Sequence, residues 1–556
     1  MLAPVAARSA LPLLLASALL GSVAARGDAQ ASRESARPAE SIVVPRDGFE
    51  HPEMFASRRA EFLRRLGEGV AVFHAKPEYE RNNDVEFLYR QDSDFYYLTG
   101  FEEPEAVAVL SSTGHGPAYT LFVRPRDPTQ EIWNGFRWGA EGAKKTFRVD
   151  AAYVLDSLPS VMPRLLKDAP KLLYSSAGEP EFGGRLRDWA RAAGVLGGSG
   201  EVGPSPAAPQ ADEGPTGSFG FESPVAITHE MRLILSAEEI ARVQRAIDIT
   251  ELAHRATMRA AAPGLHEYDL EALQYYVYRV SGAERFGFPS IVGSGPNSVT
   301  LHYRDNNRRL GDGETMVVDI GAEYAMYTAD VTRTIPVSGT FSPEQREVYQ
   351  IIADAQDEAM KLMRPGHTIA ESSKRAAEVV TAGLVRLGLL KGSVEENLAS
   401  GAYRQFYMHG LSHWIGLDVH DPAPYTEADG SPRKFQPGMV LSNEPGIYIR
   451  SDIPGVDSKW HNIGVRLEND VLITRGDAVD MTARIPRSIA DVEAEMRKPP
   501  ITIGTGESGA SIAEDLTPGA AVSVGRVPSP RSGKSKVAVG RVAAPDEGKA
   551  KVKASR

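Results

Sequence analysis

Four carboxylates and one imidazole occupy separate segments of the chain, most of them with apolar flanks. They are Asp319, Asp330, Glu444, Glu468 and His413, the last within the segment HGLSHWIGLDVHD at 409–421. Oxygen-rich sites favour ions such as Mn²⁺ or Mg²⁺, and a single His adds affinity for a transition metal without the Cys and His ligands of a structural zinc site. The set therefore predicts a pair of divalent metal ions and a dinuclear metallohydrolase.

The two aspartates belong to a predicted β-hairpin. The runs TMVVDIGAEY and YTADVTRTI are apolar and β-branched, with a short break between them. A turn centred on residues 324–325 would place Asp319 and Asp330 directly opposite each other, with Cβ atoms roughly 5 Å apart. Two buried carboxylates at that separation repel, so a cation or a shared proton must compensate them. An exposed acidic pair is the alternative, and the apolar flanks disfavour it.

A second pair of carboxylates repeats this arrangement. Glu444 belongs to the apolar strand pattern GMVLSNEPGIYI and Glu468 to IGVRLENDVLI, where an unpaired charge would be costly. A helix is predicted before each hairpin. Ser236 begins a capping-box pattern, and Ser342 is followed by Pro at the first helical position. The chain thus has two halves of similar plan. A site at their junction would take two carboxylates from each half, with His413 joining from the strand or loop between them.

Eight ordered segments carry a resemblance to one enzyme family. They are RNNDVEFLYRQDSDFYYLTGFEEPEAV, EIWNGFRWG, HEMRLILSAEEI, IVGSGPNSVTLHY, VVDIGAEYAMYTADVTRTIPVSGTFSPEQREVY, HGLSHWIGLDVHD, GMVLSNEPGIYI and IGVRLENDVLIT. Together they make the chain resemble bacterial aminopeptidase P, the Xaa-Pro aminopeptidase branch of the methionine aminopeptidase, prolidase and creatinase superfamily. The resemblance implies an α/β (α+β) protein, with a creatinase-like N-terminal α/β domain followed by a pita-bread catalytic domain.

The resemblance also implies a role for each metal ligand. Asp319 would bind one metal ion in bidentate fashion, and His413 and Glu444 would bind the other. Asp330 and Glu468 would bridge the two ions, for which Mn²⁺ is the expected metal. A water or hydroxide between the ions would be the nucleophile, and Glu444 would also relay the proton as a catalytic residue.

Other side chains match supporting positions of the family. His302, His409 and His420 are the expected catalytic and substrate-binding histidines, which would orient substrate, stabilise the tetrahedral intermediate and line the proline pocket. Tyr448 and Arg466 match substrate-binding positions. A lone His in an apolar strand is usually a hydrogen-bonded core residue, so the histidine roles depend on these motifs.

The resemblance implies a dinuclear-metal Xaa-Pro aminopeptidase that removes the N-terminal residue from peptides with proline in the second position. A prolidase, which shares the ligands and is restricted to dipeptides, is the alternative, and the N-terminal segments favour the aminopeptidase. A catalytically inactive pita-bread protein that binds peptides or partners is a second alternative, disfavoured because all five ligands are present. A homo-oligomer, either a dimer or a tetramer, is also expected.

Some segments allow a second interpretation or depart from the family pattern. The aromatic run Phe95, Tyr96 and Tyr97 predicts core packing, with a contribution from one of them to a neighbouring subunit's active site as the alternative. The polar segments 426–436 and 452–461 are predicted loops that could reshape the substrate entrance. Asn443 occupies a position where a small or apolar residue is expected.

The N-terminus has the layout of a secretory signal. Arg8 precedes an apolar run at 10–25, and small residues at 22–24 and 29–31 offer cleavage sites. The run is short for a membrane span, so no stable membrane insertion is expected. A core helix or retained anchor and a mitochondrial presequence are alternatives. The chain has no Cys, which is compatible with an oxidising compartment, and the sequence predicts a periplasmic or secreted protein.

Length and composition indicate two folded domains with tails, since 556 residues exceed one ordinary domain. The predicted segments are a signal peptide at 1–31, an N-terminal domain at 45–225 with a Gly/Pro-rich loop near 197–218, a pita-bread domain at 226–497 and a disordered basic tail at 498–556. A net charge of -11 argues against a nucleic-acid-binding surface, which requires a concentrated basic patch.

Overall fold

The computed structural model describes residues 51–175, 180–195 and 221–503. The predicted signal peptide, the Gly/Pro-rich loop at 197–218 and the tail beyond residue 503 lie outside the described residues. Before that point the chain is still packed, since Ile501 is buried and its N–H donates to the carbonyl of Arg259. Among the described residues, no helix combines the length and apolar character needed to cross a membrane.

The N-terminal part alternates strands and helices. Its strands are β1 (Val70–His74), β2 (Glu80–Asn82), β3 (Val85–Glu86), β4 (Val107–Ser111), β5 (Tyr119–Val123), β6 (Ala151–Val154) and β7 (Leu172–Ser175). Its helices are α1 (Pro52–Leu66), α2 (Ser93–Thr99), α3 (Pro128–Asn134), α4 (Gly139–Thr146), α5 (Leu158–Leu166) and α6 (Pro180–Ala192). Five of the strands form one mixed sheet in the order β6-β5-β4-β1-β7, in which β1 is antiparallel to β4 and parallel to β7.

Both faces of this sheet are covered, which explains why β1 is apolar along most of its length. Successive side chains of a strand point to opposite faces. Ala71 and Phe73 pack in the core that includes α1 and α2, while Val70 and Val72 pack in the core that includes α5 and α6. A strand buried on both sides shows a continuous apolar run instead of alternation.

His74, at the end of β1, makes the stability of the fold depend on pH. Its Nδ1 lies 2.6 Å from the carbonyl oxygen of Ala75, and burial lowers its pKa from 6.5 to about 4. The unfolded chain therefore binds a proton at a higher pH than the folded chain does. The resulting loss of stability is absent above pH 6.5 and grows as the pH falls towards 4, reaching about 3 kcal/mol.

Urea unfolding at several pH values between 7 and 4.5 measures this effect. The difference between the wild-type protein and His74→Asn isolates one histidine, because the amide of Asn can also donate to the carbonyl of Ala75. We expect the variant to lose less stability than the wild type over this range. Parallel pH profiles for the two proteins would contradict the shifted pKa.

The C-terminal part contains two pairs of long helices, each followed by β-hairpins, and shorter helices outside these pairs. Its helices are α7 (Val225–Arg232), α8 (Ala237–Ala260), α9 (Glu267–Val280), α10 (Pro343–Met360), α11 (Ile369–Arg386), α12 (Val394–Ser400) and α13 (Ile489–Met496). Ser236 and Ser342 begin α8 and α10 with capping boxes closed by Glu239 and Gln345, so both predicted helix starts are confirmed. These caps satisfy backbone donors at the first turn of each helix.

The strands of this part form short antiparallel sheets. They are β8 (Arg285–Phe286), β9 (Ile291–Ser294), β10 (Thr315–Ile320), β11 (Ala322–Tyr324), β12 (Tyr327–Thr328), β13 (Val331–Pro336), β14 (Val440–Asn443), β15 (Gly446–Ile449), β16 (Ile463–Arg466), β17 (Asn469–Leu472) and β18 (Val479–Asp480). The sheet orders are β13-β10-β9, β12-β11-β8, β14-β17-β18 and β15-β16. The mixed architecture and the plan of two similar halves agree with the fold expected from the sequence.

The N-terminal and C-terminal parts share a core. Phe95 and Tyr97 of α2 belong to the same buried apolar cluster as Met231 and Tyr327, and the Tyr97 hydroxyl donates to the carbonyl of Met231. Phe95, Tyr96 and Tyr97 are all buried, so the prediction that they pack in the core is confirmed. Residues of the N-terminal part therefore pack directly against residues of the C-terminal part.

Candidate active site

The hairpin that carries the two aspartates turns one residue later than predicted. Tyr324 pairs with Tyr327, so Ala325 and Met326 form the turn, with φ of 49° and 69°. Tight hairpins favour such positive φ angles because the twist of the turn then matches that of the strands. The register therefore places Thr332 opposite Asp319, and the prediction that Asp330 is its direct partner is wrong.

The two aspartates nevertheless converge. Moving the turn by one residue shifts each cross-strand partner by two positions, which preserves the face of the strand. Asp330 falls between β12 and β13, and one carboxylate oxygen each from Asp319, Asp330 and Glu468 lie within 4.8 Å of one another. A diagonal relationship thus replaces the expected direct pair.

The two glutamates occupy breaks between strands, where the sequence predicted positions inside strands. Glu444 follows β14 and Glu468 lies between β16 and β17. Pro445 has no N–H to donate and interrupts the ladder next to Glu444. The backbone N–H of Glu444 donates to the carbonyl of Leu411, and that of Glu468 donates to the carbonyl of Thr332. Both carboxylates are therefore held by backbone contacts with other segments.

His413 projects into the centre of the carboxylates. Its Nε2 lies 3.3 Å from Asp330 Oδ2, 3.4 Å from Glu444 Oε1 and 3.8 Å from Glu468 Oε1. Its Nδ1 lies 3.2 Å from the carbonyl oxygen of Trp414, a contact that fixes which ring nitrogen faces the cluster. The segment around it runs beside β14, since the backbone of His413 exchanges hydrogen bonds with Ser442.

The buried carboxylates of this cluster repel one another, and a cation would compensate their charge. Burial, together with the charge of Glu468, raises the pKa of Asp330 and of Glu444 well above their ordinary values. Burial alone would lower the pKa of His413, but its contacts with Glu468 and Glu444 raise it to about 9. Asp319 Oδ1 is buried without a hydrogen-bond partner. Carboxylate oxygens and an imidazole suit divalent metal ions, so the residues present fit the expected metal site.

Arg466 and Tyr448 connect this cluster to His409. Arg466 is buried and donates from Nη2 to Asp319 Oδ2 at 2.6 Å, from Nη1 to the Tyr448 hydroxyl at 2.9 Å and from Nε to the Thr332 hydroxyl at 3.1 Å. The same Tyr448 hydroxyl lies 2.8 Å from His409 Nε2. Burial, with the nearby charge of Arg466, lowers the pKa of His409 to about 4. His409 is therefore neutral near pH 7.

The other two predicted histidines lie on the open side of the cluster. The ring centroid of His420 is 4.2 Å from that of His413, and His420 is exposed. His302 is exposed and close enough to His409 and His420 to affect the pKa of both. By distance alone His420 could also join Asp330 and His413 as a metal ligand. The structure thus brings all ten predicted site residues into one region.

Sequence reasoning missed three supporting residues. Thr332 donates from its hydroxyl to Glu468 Oε2 at 2.7 Å, and Asp470 accepts the backbone N–H of Asp330 at 3.2 Å. Glu267 is fully buried and accepts hydrogen bonds from Ser294 and from the Tyr303 hydroxyl, next to His302. The spacing offers a signal for the first two, because Thr332 and Asp470 each lie two residues beyond a predicted ligand in an extended segment.

The polar residue at Asn443 also has a structural reason. Its side-chain Nδ2 donates to the carbonyl of Gln356 on α10 at 3.0 Å, and Gln356 Nε2 donates to the carbonyl of Asn443 at 2.8 Å. This reciprocal pair joins the strand that precedes Glu444 to the helix behind it. A small or apolar residue at this position would lose the bond that the side-chain Nδ2 makes.

Comparison with known proteins identifies relatives for both parts of the chain. Residues 241–475 match the model of metallopeptidase family M24, and residues 55–174 match the model of the aminopeptidase P N-terminal domain. An Xaa-Pro aminopeptidase of Escherichia coli strain K12 is 39% identical over 445 residues, which cover 80% of this chain and 97% of that protein.

Solved structures agree with these matches. The structure of the Pseudomonas aeruginosa aminopeptidase PepP is 38% identical, with a TM-score of 0.74 over 80% of this chain and 98% of that one. A zinc-substituted E. coli aminopeptidase P in complex with product is 36% identical, with a TM-score of 0.73 over 81% of this chain and 99% of that one. The similarity therefore extends over both folded parts.

Proposed function

This chain belongs to metallopeptidase family M24, and from that premise we propose how its site works as a metal-dependent Xaa-Pro aminopeptidase. The enzyme hydrolyses the bond between an N-terminal residue and a proline in the second position. The observation that carries the proposal is the convergence of His413 with Asp330, Glu444 and Glu468 at 3.3 to 3.8 Å. It occurs in a chain that matches nearly the whole length of an Xaa-Pro aminopeptidase.

The buried cluster would hold two divalent metal ions, with Mn²⁺ as the expected metal. Its ligands would be Asp319, Asp330, His413, Glu444 and Glu468. When bound, such ions would polarise the peptide carbonyl and lower the pKa of a nearby water. Elemental analysis of protein loaded with Mn²⁺ or with Zn²⁺, followed by rate measurements on each form, tests both the number and the identity of the ions.

Glu444 is placed to move a proton between the cluster and the substrate side. It is partly exposed, and its Oε2 lies 3.8 Å from His409 Nδ1, while its Oε1 faces His413. A carboxylate that reaches both the cluster and His409 could take up a proton from the attacking water and release it to the leaving amine. Tyr448 and Arg466 would hold His409 beside it through their hydrogen bonds.

The histidines provide a test of the assigned roles. His302→Ala and His420→Ala should each lower kcat by about a hundredfold, and should lower it more than they raise KM, because both side chains would act in the transition state. Metal content, measured by elemental analysis, should remain that of the wild type. Loss of one ion per chain in the His420 variant would instead make His420 a ligand, as its distance to Asp330 and His413 allows.

A homo-oligomer, either a dimer or a tetramer, also belongs to this proposal. Large apolar side chains are exposed on the N-terminal part, including Leu88 at 73%, Ile132 at 81% and Trp133 at 81%. Ile132 and Trp133 are adjacent on α3, and contiguous exposed apolar surface marks interaction sites more often than scattered apolar residues do. Light scattering on the purified protein would count the copies in solution.

The proposed location is the periplasm or the exterior of the cell. The support comes from the signal-like arrangement of the first 31 residues, in which a basic residue precedes an apolar run and small residues. We expect the mature protein to begin near Ala25 or just after Ala31. Intact-mass analysis of protein from a Gram-negative host measures this, and recovery of the full-length chain from the cytosol would contradict it.

A further inference from the structure

A buried cluster of charges joins the N-terminal domain to the loop that carries His420. Arg232, the last residue of α7, lies at its centre with a side chain that is 2% exposed. Its Nη1 donates to Asp94 Oδ1 at 3.1 Å, and its Nη2 donates to Asp418 Oδ2 and Asp421 Oδ2, each at 2.6 Å. Two of these carboxylates flank His420 in the sequence, and the third belongs to α2. We call these four residues the Arg232 cluster.

The N-terminal domain forms further hydrogen bonds with the same loop. Ser93, next to Asp94 on α2, donates from its hydroxyl to Asp418 Oδ1 at 2.7 Å. Arg90 donates from Nη2 to the carbonyl of Leu417 at 2.6 Å and is itself paired with Glu323. The loop is therefore attached to residues about 325 positions earlier in the chain.

The loop has little structure of its own to keep His420 in place. Residues 413–421 include no helix or strand, and their internal backbone bonds run from Gly416 to Asp418 and from Asp421 to Trp414. Within the ranges that the structure describes, no hydrogen bond holds the ring of His420. The backbone at 415 and 416 is bonded to Val440 and Thr328, whereas the positions on either side of His420 are held through the carboxylates of Asp418 and Asp421, which Arg232 binds.

We propose that Arg232 is a positioning residue through which the N-terminal domain holds His420 in its reactive position. This inference rests on the role of His420 given under the proposed function. The planar guanidinium reaches three carboxylates at once, whereas a lysine ammonium is a single point charge. Displacement of a reacting group by about 1 Å can cost up to a hundredfold in rate.

A double-mutant cycle tests the inference. Arg232→Lys keeps the buried positive charge, and Asp94→Asn weakens the same cluster from the N-terminal side. Each should lower kcat on an Xaa-Pro tripeptide by about tenfold or more, with KM changed by less than about threefold. In a His420→Ala background the same changes should lower kcat by less than about threefold, because the group they position is already missing.

Asp92→Asn is the matched control. Asp92 immediately precedes α2, and its carboxylate accepts the N–H of Phe95 and caps the helix instead of contacting Arg232. The control should keep the wild-type kcat in both backgrounds, and melting temperatures should be recorded for every variant. Equal losses of kcat for Arg232→Lys with and without His420 would overturn the inference, because a general structural effect would not depend on His420.

The cycle also separates this inference from the assignment on which it rests. A wild-type rate for His420→Ala alone would overturn the proposed role of His420, and with it the positioning role of Arg232. A slow His420→Ala enzyme combined with a wild-type rate for both Arg232→Lys and Asp94→Asn would overturn only the inference about the Arg232 cluster. Loss of activity that follows the melting temperature across all variants, Asp92→Asn included, would overturn it as well.

Discussion

Asp330→Ala is expected to abolish peptidase activity and to remove most of the bound metal while the helices stay folded. Asp330 lies within 3.3 Å of His413, and its carboxylate belongs to two of the three groups of side chains that could hold a metal ion. Without it, the cluster loses a carboxylate that could hold an ion together with Asp319 and Glu468 or together with His413. We expect the rate to fall by roughly a thousandfold or more, equivalent to about 4 kcal/mol in the barrier.

Elemental analysis and far-UV circular dichroism measure the two parts of this prediction. Asp354→Ala, at an exposed position on α10, is the control and should retain both metal and activity. In metal-free protein Asp330→Ala should not lower the melting temperature. Burial and the charge of Glu468 raise the pKa of Asp330, so the ionised carboxylate is costly in the folded state and its removal also removes that cost. Two metal ions per chain in the variant would contradict the ligand assignment.

The second expected result concerns substrate length. Under identical Mn²⁺ loading, Ala-Pro-Ala should be hydrolysed efficiently, whereas Ala-Pro and Ala-Ala-Ala should be poor substrates. A dipeptidase must pair the free carboxylate of its substrate with a positive group. Arg466, a buried cation of this site, already donates to Asp319, Tyr448 and Thr332. It is thereby committed to holding the site together.

The proline requirement has a separate physical basis. His409 is partly exposed and packs against the buried rings of Tyr407 and Tyr448, with centroid distances of 5.1 and 5.5 Å, so its imidazole is the ring that a proline could contact. We expect kcat/KM for Ala-Pro-Ala to exceed that for Ala-Pro by about tenfold and that for Ala-Ala-Ala by about a hundredfold.

Product analysis by chromatography, with metal-free enzyme as the blank, measures all three peptides in one experiment. Fast release of alanine from Ala-Pro with slow cleavage of the tripeptide would transfer the assignment to prolidase. Equal rates on Ala-Pro-Ala and Ala-Ala-Ala would remove the proline requirement. Each outcome concerns a different part of the substrate, so the two claims can fail independently.

The sequence by itself determined the chemical types at the site and the local starts of its elements. Carboxylates within apolar segments are costly to bury without a partner, so Asp319, Asp330 and Glu468 could be singled out without knowledge of the fold. Ser236 and Ser342 begin helices as predicted, because a capping box involves only residues within one helical turn. The family resemblance supplied the functional roles, which spacing alone could not.

Only the tertiary structure decided how these residues meet. The register of Asp319 depends on a turn at Ala325 and Met326, where neither residue type signals a positive φ. Arg466 reaches Asp319 across 147 positions and Arg232 reaches Asp94 across 138. Contacts at such separations depend on how helices and sheets pack, and one-dimensional patterns describe only neighbours along the chain. The contacts of the Arg232 cluster could therefore not be predicted from the sequence.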